Sequence, residues 1–140
     1  MALSAGNLNI GDTYEECLVE DLKRTQLVQY SGASGDYNPL HSDEIFTTQV
    51  AGYPSVFAHG MLTMGMTGRM LTNYVGDGRL KTFGVRFTSQ VWPGDTLHST
   101  ATVEEVTVED DDPVVKLKVE TTNQDGKVVV SGYASARLDP

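Results

Sequence analysis

Polar and apolar residues alternate along much of the second half of the chain. The alternation is clearest where Val115, Leu117 and Val119 interleave with lysine and glutamate, as expected for a strand with one buried face. Strands are predicted over four segments, residues 80–91, 96–108, 114–122 and 127–138. Turn formers and an acidic loop separate these segments, which predicts successive antiparallel hairpins.

The first half of the chain has shorter segments and more turn formers. A strand is predicted at 13–19 and a helix at 19–29 with Asp21 as its N-cap, since aspartate favours that position. The Ser-, Gly- and Pro-containing stretch 31–39 predicts a loop. A short helix is predicted at 43–49, and irregular chain should connect it to the next helix.

The longest helix is predicted at 60–75. Apolar and small residues recur there at helical spacing, and the segment contains no aspartate or glutamate, which is typical of a buried helix. The residues assigned to one face are Met61, Met64, Gly65, Gly68, Leu71, Thr72 and Val75. Together with the strands, this helix predicts an α+β domain whose antiparallel sheet wraps around it. Such a sheet keeps open edges, which favours a dimer.

Length and composition suit one globular domain. The chain has 140 residues, 39% hydrophobic and 21% charged, so residues 1–140 are predicted to form a single domain with its own core. Cys17 is the only cysteine, and the sequence has neither a signal-peptide pattern nor an apolar run long enough to span a bilayer. We therefore expect a cytoplasmic protein. The net charge of −9 argues against nucleic-acid and membrane partners.

Charge is distributed unevenly along the chain. Residues 45–94 contain a single acidic residue, Asp77, and carry a net charge of +3. Their basic residues are Arg69, Arg79, Lys81 and Arg86. Such a segment in an acidic protein suits a small anionic ligand, for example a phosphate-bearing cofactor or substrate. The alternative is that acidic residues are scarce because the segment is buried, and composition alone leaves both open.

The densest cluster of reactive side chains is Asp36, Asn38 and His41 in the predicted loop. A carboxylate and an imidazole that share one water can take its proton and return it during a reaction. The asparagine can fix their geometry by hydrogen bonds. The alternative is a turn whose polar side chains only satisfy the backbone, with His41 as an ordinary surface residue.

A second candidate lies at the start of the predicted central helix. A backbone N–H at Gly60 could stabilise developing negative charge, because helix N-termini carry unpaired N–H groups and a partial positive charge. The glycine could equally be a plain helix start. His59 is assigned a supporting role, and His98 is expected to be exposed. The histidine spacings match no metal motif, so no metal is predicted, and the glycines form no phosphate-binding or dinucleotide-binding pattern.

These segments resemble one family. The run YSGASGDYNPLH at 30–41 closely resembles the signature of the MaoC-like, R-specific enoyl-CoA hydratases (hydratase 2). AHGMLTMG at 58–65 resembles the start of that family's central helix, and 85–87 and 93–97 resemble its strand region. The resemblance implies a hot-dog fold, a dimer, and reversible hydration of trans-2-enoyl thioesters to (3R)-3-hydroxyacyl thioesters in fatty-acid or related lipid metabolism.

The resemblance also implies roles for individual residues. Asp36 and His41 would bind and activate the water, Asn38 would support the loop, and the Gly60 N–H would be the oxyanion donor. Some of the four basic residues would bind the phosphates of coenzyme A, which enters as part of the substrate and not as a cofactor. Coenzyme A is favoured over an acyl carrier protein because such carriers are acidic, as is this chain.

Two alternative functions stay open. A hot-dog thioesterase usually relies on a carboxylate on or near the central helix, which 60–75 lacks. A non-catalytic acyl-thioester-binding subunit would have lost the pair Asp36 and His41. The chain also resembles small subunits of mycolic-acid-type (3R)-hydroxyacyl dehydratases, so a homodimer and a heterodimer with a related subunit are both compatible with it. Hydrophobicity assigns an acyl tunnel to 50–57 together with Leu62, Met66 and Met70.

Overall fold

Five antiparallel strands form one sheet. A computed structural model describes residues 3–140. The strands are β1 Thr13–Val19, β2 Leu80–Phe87, β3 Leu97–Glu109, β4 Asp112–Thr122 and β5 Val128–Arg137. They lie side by side in the order β1-β3-β4-β5-β2, and every neighbouring pair is antiparallel. The predicted strands are confirmed, although the first of the four ends at Phe87 and not at 91.

The predicted succession of hairpins is only partly right. Strands β3, β4 and β5 do form two hairpins, whereas β2 lies at the far edge and pairs with β5. The turn that follows β2 does not join neighbouring strands, because its backbone pairs with Leu22 instead. The Gly94 N–H donates to the Leu22 carbonyl at 2.7 Å, and the Leu22 N–H donates to the Asp95 carbonyl at 2.9 Å.

The central helix α2 spans Gly60–Val75, as predicted. Its buried face faces the sheet and differs from the predicted one. The buried residues are Leu62, Thr63, Met66, Thr67, Met70, Leu71 and Val75. Met61 is 57% exposed and Gly65 is also exposed, so of the predicted face only Leu71 and Val75 are confirmed as buried. A helix that is apolar on most sides does not define its own orientation, and packing against the sheet decides it.

Helix α1 spans Arg24–Ser34 and not 19–29. Asp21 is not its N-cap, because Leu22 is buried and paired with the turn at 94–95, which keeps residues 21–22 outside the helix. Asp21 has a positive φ of 50°, and Lys23 occupies the cap position. The helix takes in residues 31–34, the first part of the predicted loop, and ends at Ser34 with Gly35 as its C-cap, whose φ of 77° suits glycine. Residues 35–38 are irregular, as predicted.

The segment between α1 and α2 contains only short helical turns. Residues Pro39–His41 form a 3₁₀ turn, and a π-helical turn at Phe46–Val50 occupies most of the predicted short helix. The Glu44 carboxylate joins these turns to their neighbours, since it pairs with Arg24 at the start of α1 and accepts the Val56 N–H at 3.3 Å. No helix among residues 3–140 is long and apolar enough to cross a bilayer.

Candidate active site

The loop after α1 is fixed by its own polar side chains. The Ser34 hydroxyl donates to the Tyr30 carbonyl at 2.7 Å and accepts the Asp36 N–H at 3.1 Å. The Asp36 carboxylate accepts the Asn38 N–H at 3.2 Å, and the Asn38 side-chain oxygen accepts the Leu40 N–H at 3.0 Å. Consecutive turns of this kind give the loop one shape. They leave the Asp36 side chain exposed to solvent.

His41 is buried, so it is not the ordinary surface residue of the alternative interpretation. Its side chain is 9% exposed, and its Nδ1 lies 2.6 Å from the Phe57 carbonyl oxygen. A carbonyl can only accept, so Nδ1 carries the proton and Nε2 keeps a free lone pair. The Phe57 N–H donates in turn to the Leu40 carbonyl at 3.2 Å. The ring is therefore fixed in the form that can accept a proton through Nε2.

His59 lies against both Asp36 and His41 and is 1% exposed. Its ring stacks on the His41 ring, with centroids 3.8 Å apart and planes at 25°. Its Nε2 lies 3.2 Å from the Asp36 carbonyl oxygen and 3.1 Å from the Ser31 hydroxyl. Burial lowers the pKa of His59, and the Asp36 carbonyl partly offsets this. The supporting position predicted for His59 thus has a definite set of contacts, whereas His98 is exposed, as expected.

The side chains of Asp36, His41 and His59 each bring a potential ligand atom within 4.8 Å of the others. One ring nitrogen of each histidine already faces a backbone carbonyl. Because the two imidazole rings are stacked, the lone pairs of their remaining nitrogens lie in nearly parallel planes. They cannot both point at one metal ion at the usual nitrogen–zinc distance of ~2.0–2.1 Å. The cluster therefore suits a hydrogen-bonded water better than a metal, and the expected absence of a metal stays a prediction.

Gly60 is the first residue of α2 and directly follows His59. The first N–H groups of a helix lack partners within it and can bind negative charge. The Phe87 ring lies 3.1 Å from the position that a Cβ at Gly60 would occupy, so a side chain there would crowd the ring. A cavity of about 360 Å³ opens beside this residue. We call it the Gly60 cavity; its lining includes Phe57, Ala58, Gly60, Thr63, Phe87, Val91, Val129 and Val130.

The basic residues expected to bind substrate phosphates are Arg69, Arg79, Lys81 and Arg86, and they lie in three separate places. Arg79 pairs with Asp139 at 2.8 Å, and Lys81 pairs with Glu109 at 3.1 Å, in one shared recess. Arg86 lines a different recess on the sheet, and none of the four lines the Gly60 cavity. The structure does not bring these residues into one groove.

The predicted acyl tunnel fits the structure at one point only. Leu62, Met66 and Met70 lie in the hydrophobic core and do not line the Gly60 cavity. Phe57, from the predicted irregular stretch, does line it.

Sequence reasoning missed Ser31, which contacts His59, and Thr63, which lines the Gly60 cavity. Hydroxyl residues within helices carry no distinctive sequence signal.

Comparisons with known proteins agree with this architecture. The model of the MaoC like domain family matches residues 7–125. The 3-hydroxyacyl-thioester dehydratase Y of Mycobacterium tuberculosis is 48% identical over 46% of this chain, and the peroxisomal enoyl-CoA hydratase 2 of Arabidopsis thaliana is 36% identical over 74%. The chain covers 23% and 32% of these two relatives, about a third of their length or less.

A solved structure extends the similarity to the whole fold. The unliganded R-hydratase PhaJ1 from Pseudomonas aeruginosa superposes with a TM-score of 0.84 at 26% identity, covering 99% of this chain and 86% of that one. The five-stranded sheet around a central helix is accordingly the hot-dog fold, as the sequence predicted. With a family model that spans most of its length and a fold shared throughout, this chain belongs to the MaoC-like dehydratase family.

Proposed function

We propose that this protein is a hydro-lyase that reversibly hydrates trans-2-enoyl thioesters to (3R)-3-hydroxyacyl thioesters in lipid metabolism. The observation that carries the proposal is the pair Asp36 and His41, an exposed carboxylate beside a fixed imidazole whose Nε2 can accept a proton. The names of the relatives, an enoyl-CoA hydratase and a 3-hydroxyacyl-thioester dehydratase, support the same reaction.

The proposed mechanism uses one water between the two side chains. The Asp36 carboxylate and His41 Nε2 hold this water and take one of its protons as its oxygen attacks C3 of the enoyl thioester. The electron pair of the double bond moves through C2 to the thioester oxygen, where the Gly60 N–H stabilises the negative charge. The proton is then delivered to C2, and dehydration follows the same steps in reverse. One water on one side of the substrate delivers both groups to a single face.

The Gly60 cavity supports this assignment. It begins at the proposed oxyanion donor and is lined by both apolar and polar side chains, the polar ones being Thr63, Thr88, Ser89 and Gln90. Such a mixed lining suits the thioester end of a substrate. Asn38 supports the loop by accepting the Leu40 N–H. The net charge of −9 would repel an acidic acyl carrier protein, which favours coenzyme A as the carrier of the acyl group. Phosphate binding by the predicted basic residues belongs to this proposal, with Arg86 the better candidate because Arg79 and Lys81 are paired with acids.

We further propose that the protein works as a dimer through β2, in the cytoplasm. Strand β2 pairs only with β5, so its other edge has no strand partner among residues 3–140. Phe87 on this strand is 51% exposed, and Met61 on the adjacent helix is 57% exposed. An open apolar edge is usually covered, and a second copy could cover it by two-fold symmetry. Cys17 is free, which suits a reducing compartment.

The alternative functions account less well for the same site. A thioesterase of this fold usually relies on a carboxylate on or near α2. Gly60–Val75 contains none, and the carboxylate near the helix start, that of Asp36, lies beside His41 in the arrangement that hydration requires. A non-catalytic binding subunit has no use for a buried histidine fixed in one tautomer beside an exposed carboxylate. Both remain outcomes of the experiment below.

The first experiment follows the absorbance of the conjugated enoyl thioester as purified protein hydrates trans-2-enoyl-CoA substrates of several chain lengths. Asp36→Asn and His41→Ala should each lower kcat/KM by about 10²–10⁴-fold, because each removes a partner of the reacting water. His98→Ala, which removes an exposed histidine, should leave the rate unchanged. A thiol reagent in parallel assays detects hydrolysis. Thiol release without hydration would identify a thioesterase, and wild-type protein inactive in both assays would contradict the proposal.

A further inference from the structure

His59 connects three parts of the molecule at one buried point. It is the N-cap residue of α2, it contacts the Asp36 carbonyl in the loop, and its ring stacks on His41. The Ser31 hydroxyl lies at the same Nε2, and the Tyr30 ring meets the imidazole edge-on at a centroid distance of 4.8 Å. Nothing in the hydration mechanism requires this residue to touch the substrate.

The contacts of His59 define its protonation state. The Asp36 carbonyl oxygen can only accept, so Nε2 must carry the proton. Nδ1 is buried and has no hydrogen-bond partner among residues 3–140. A second proton there would be a buried donor without an acceptor and would put a positive charge against the His41 ring. The titratable groups that face His59 are Asp36, His41 and Tyr30.

The position of His59 in the chain gives this contact a consequence. The next residue is Gly60, the proposed oxyanion donor, so the bond from His59 to the Asp36 backbone spans the two halves of the site. The bonds of the Ser34, Asp36 and Asn38 side chains are local, between residues two to four apart. The loop is otherwise joined to the chain before α2 through Phe57, which pairs with Leu40 and His41; beyond the local bonds, only the bond from His59 holds the Asp36 backbone itself among residues 3–140. The position of Asp36 relative to the Gly60 N–H therefore depends on the bond from His59, whereas His41 is held through Phe57 as well.

We propose that His59 is a positioning residue of the hydration site: as a neutral ring with its proton on Nε2, it fixes the Asp36 backbone and the His41 ring relative to the Gly60 N–H. This inference rests on the proposed function. His59 exchanges no proton with the substrate. Its contribution is geometric, and displacing catalytic groups by about 1 Å can cost 10²-fold in rate.

Three substitutions separate the bond from the packing. In His59→Gln the amide NH₂ can take the place of Nε2–H and donate to the Asp36 carbonyl. His59→Phe keeps a stacking ring without a donor, and His59→Asn is too short to reach. Wild-type kcat should be largely retained by His59→Gln and fall by about 100-fold in His59→Phe and His59→Asn, with KM little changed because substrate contacts are intact. Ser31→Ala, which leaves the Asp36 contact in place, serves as the matched control and should lose little.

A second measurement does not depend on activity. Hydrogen exchange at the Asn38 and Leu40 amides, which are bonded within the loop, should speed up in His59→Phe and stay near wild type in His59→Gln. In the wild-type protein, ¹⁵N NMR of the imidazole should show the neutral Nε2–H form at pH 7. An inactive wild-type protein would therefore contradict the proposed function. Hydrogen exchange and ¹⁵N NMR would still show whether His59 fixes the loop as a neutral ring.

Several results would overturn the inference. One is full activity in His59→Phe, which would mean that only the ring matters. Another is an equal loss in His59→Gln and His59→Phe with unchanged loop exchange. The Nδ1–H tautomer, or a doubly protonated ring at pH 7, would do so in the wild-type protein itself, whatever the variants do.

Discussion

The side chains of the proposed site are held by backbone groups and not by other charged side chains. His41 is fixed through the Phe57 carbonyl, His59 through the Asp36 carbonyl, and the Asp36 carboxylate by the N–H of Asn38. Backbone partners fix the orientation of a group without placing a full charge beside it. The water-activating pair can therefore give and take a proton, as a reversible hydration requires.

Gly60→Ala tests the proposed oxyanion donor at the residue scale. The new methyl group would lie 3.1 Å from the Phe87 ring, so the ring must move within the space beside the N–H. We expect kcat to fall by at least about tenfold, less than the ~10²–10³-fold seen when an oxyanion donor is lost completely, because the N–H itself is still present. Gly32→Ala, in the exposed part of α1 with open space around it, should keep its activity and gain up to ~1 kcal/mol of stability. Unchanged activity in Gly60→Ala would contradict the donor role.

The sequence could indicate part of this site because that part is local. Asp36, Asn38 and His41 lie within six residues of one another, and their turn formers are visible in the chain. The contact between His59 and Asp36 crosses 23 residues, and that between His59 and Ser31 crosses 28. No periodicity encodes such contacts, since they depend on where α2 begins relative to α1.

At the scale of elements, buried hydroxyl groups attach α2 to the sheet. The hydroxyls of Thr67 and Thr121 are 2.7 Å apart, and that of Thr121 is 3.0 Å from the Ser99 hydroxyl. Thr67, Thr121 and Ser99 are all fully buried. Because α2 is apolar on most sides, hydrophobicity alone identified only Leu71 and Val75 of its buried face. A polar contact has directional requirements that apolar packing lacks. These three hydroxyl groups therefore specify which face of α2 meets the sheet.

Thr67→Val tests this attachment. Valine keeps the shape but removes the bond to Thr121 and the bond to the Thr63 carbonyl at 2.9 Å. Leaving buried polar groups with fewer partners should lower the free energy of unfolding by about 1–3 kcal/mol, measured by urea denaturation. The control Thr72→Val removes a hydroxyl that bonds only within its own helix, to the Arg69 carbonyl, and should change stability by less than ~0.5 kcal/mol. Equal losses of unfolding free energy in both variants would show that the hydroxyl contacts between α2 and the sheet do not stabilise the fold more than a hydroxyl bonded within its own helix.

At the scale of the whole molecule, the two sheet edges differ in character. Strand β1 carries Glu15 and Glu16, charges that discourage pairing with another strand. Strand β2 has no acidic residue and carries the cations Lys81 and Arg86. Its Phe83 and Val85 pack against the core, whereas Phe87 at its end is exposed. Alternation predicted both strands, yet it did not predict that β2 would lie at an edge. That position follows from the pairing of β2 with β5, a contact between distant parts of the chain that alternation does not encode.

The proposed dimer can therefore be tested by placing the same charge at each edge. Thr82→Lys puts an ammonium group at an exposed position of β2, where two-fold pairing would bring two such charges together. Thr13→Lys puts the same group at an exposed position of β1. By light scattering at micromolar concentration, wild-type protein and Thr13→Lys should have twice the chain mass of 15.2 kDa. Thr82→Lys should dissociate to single chains while keeping its circular dichroism spectrum. A wild-type monomer would count against the homodimer and would direct the search to a related subunit that covers β2, because the open apolar edge would still need a partner.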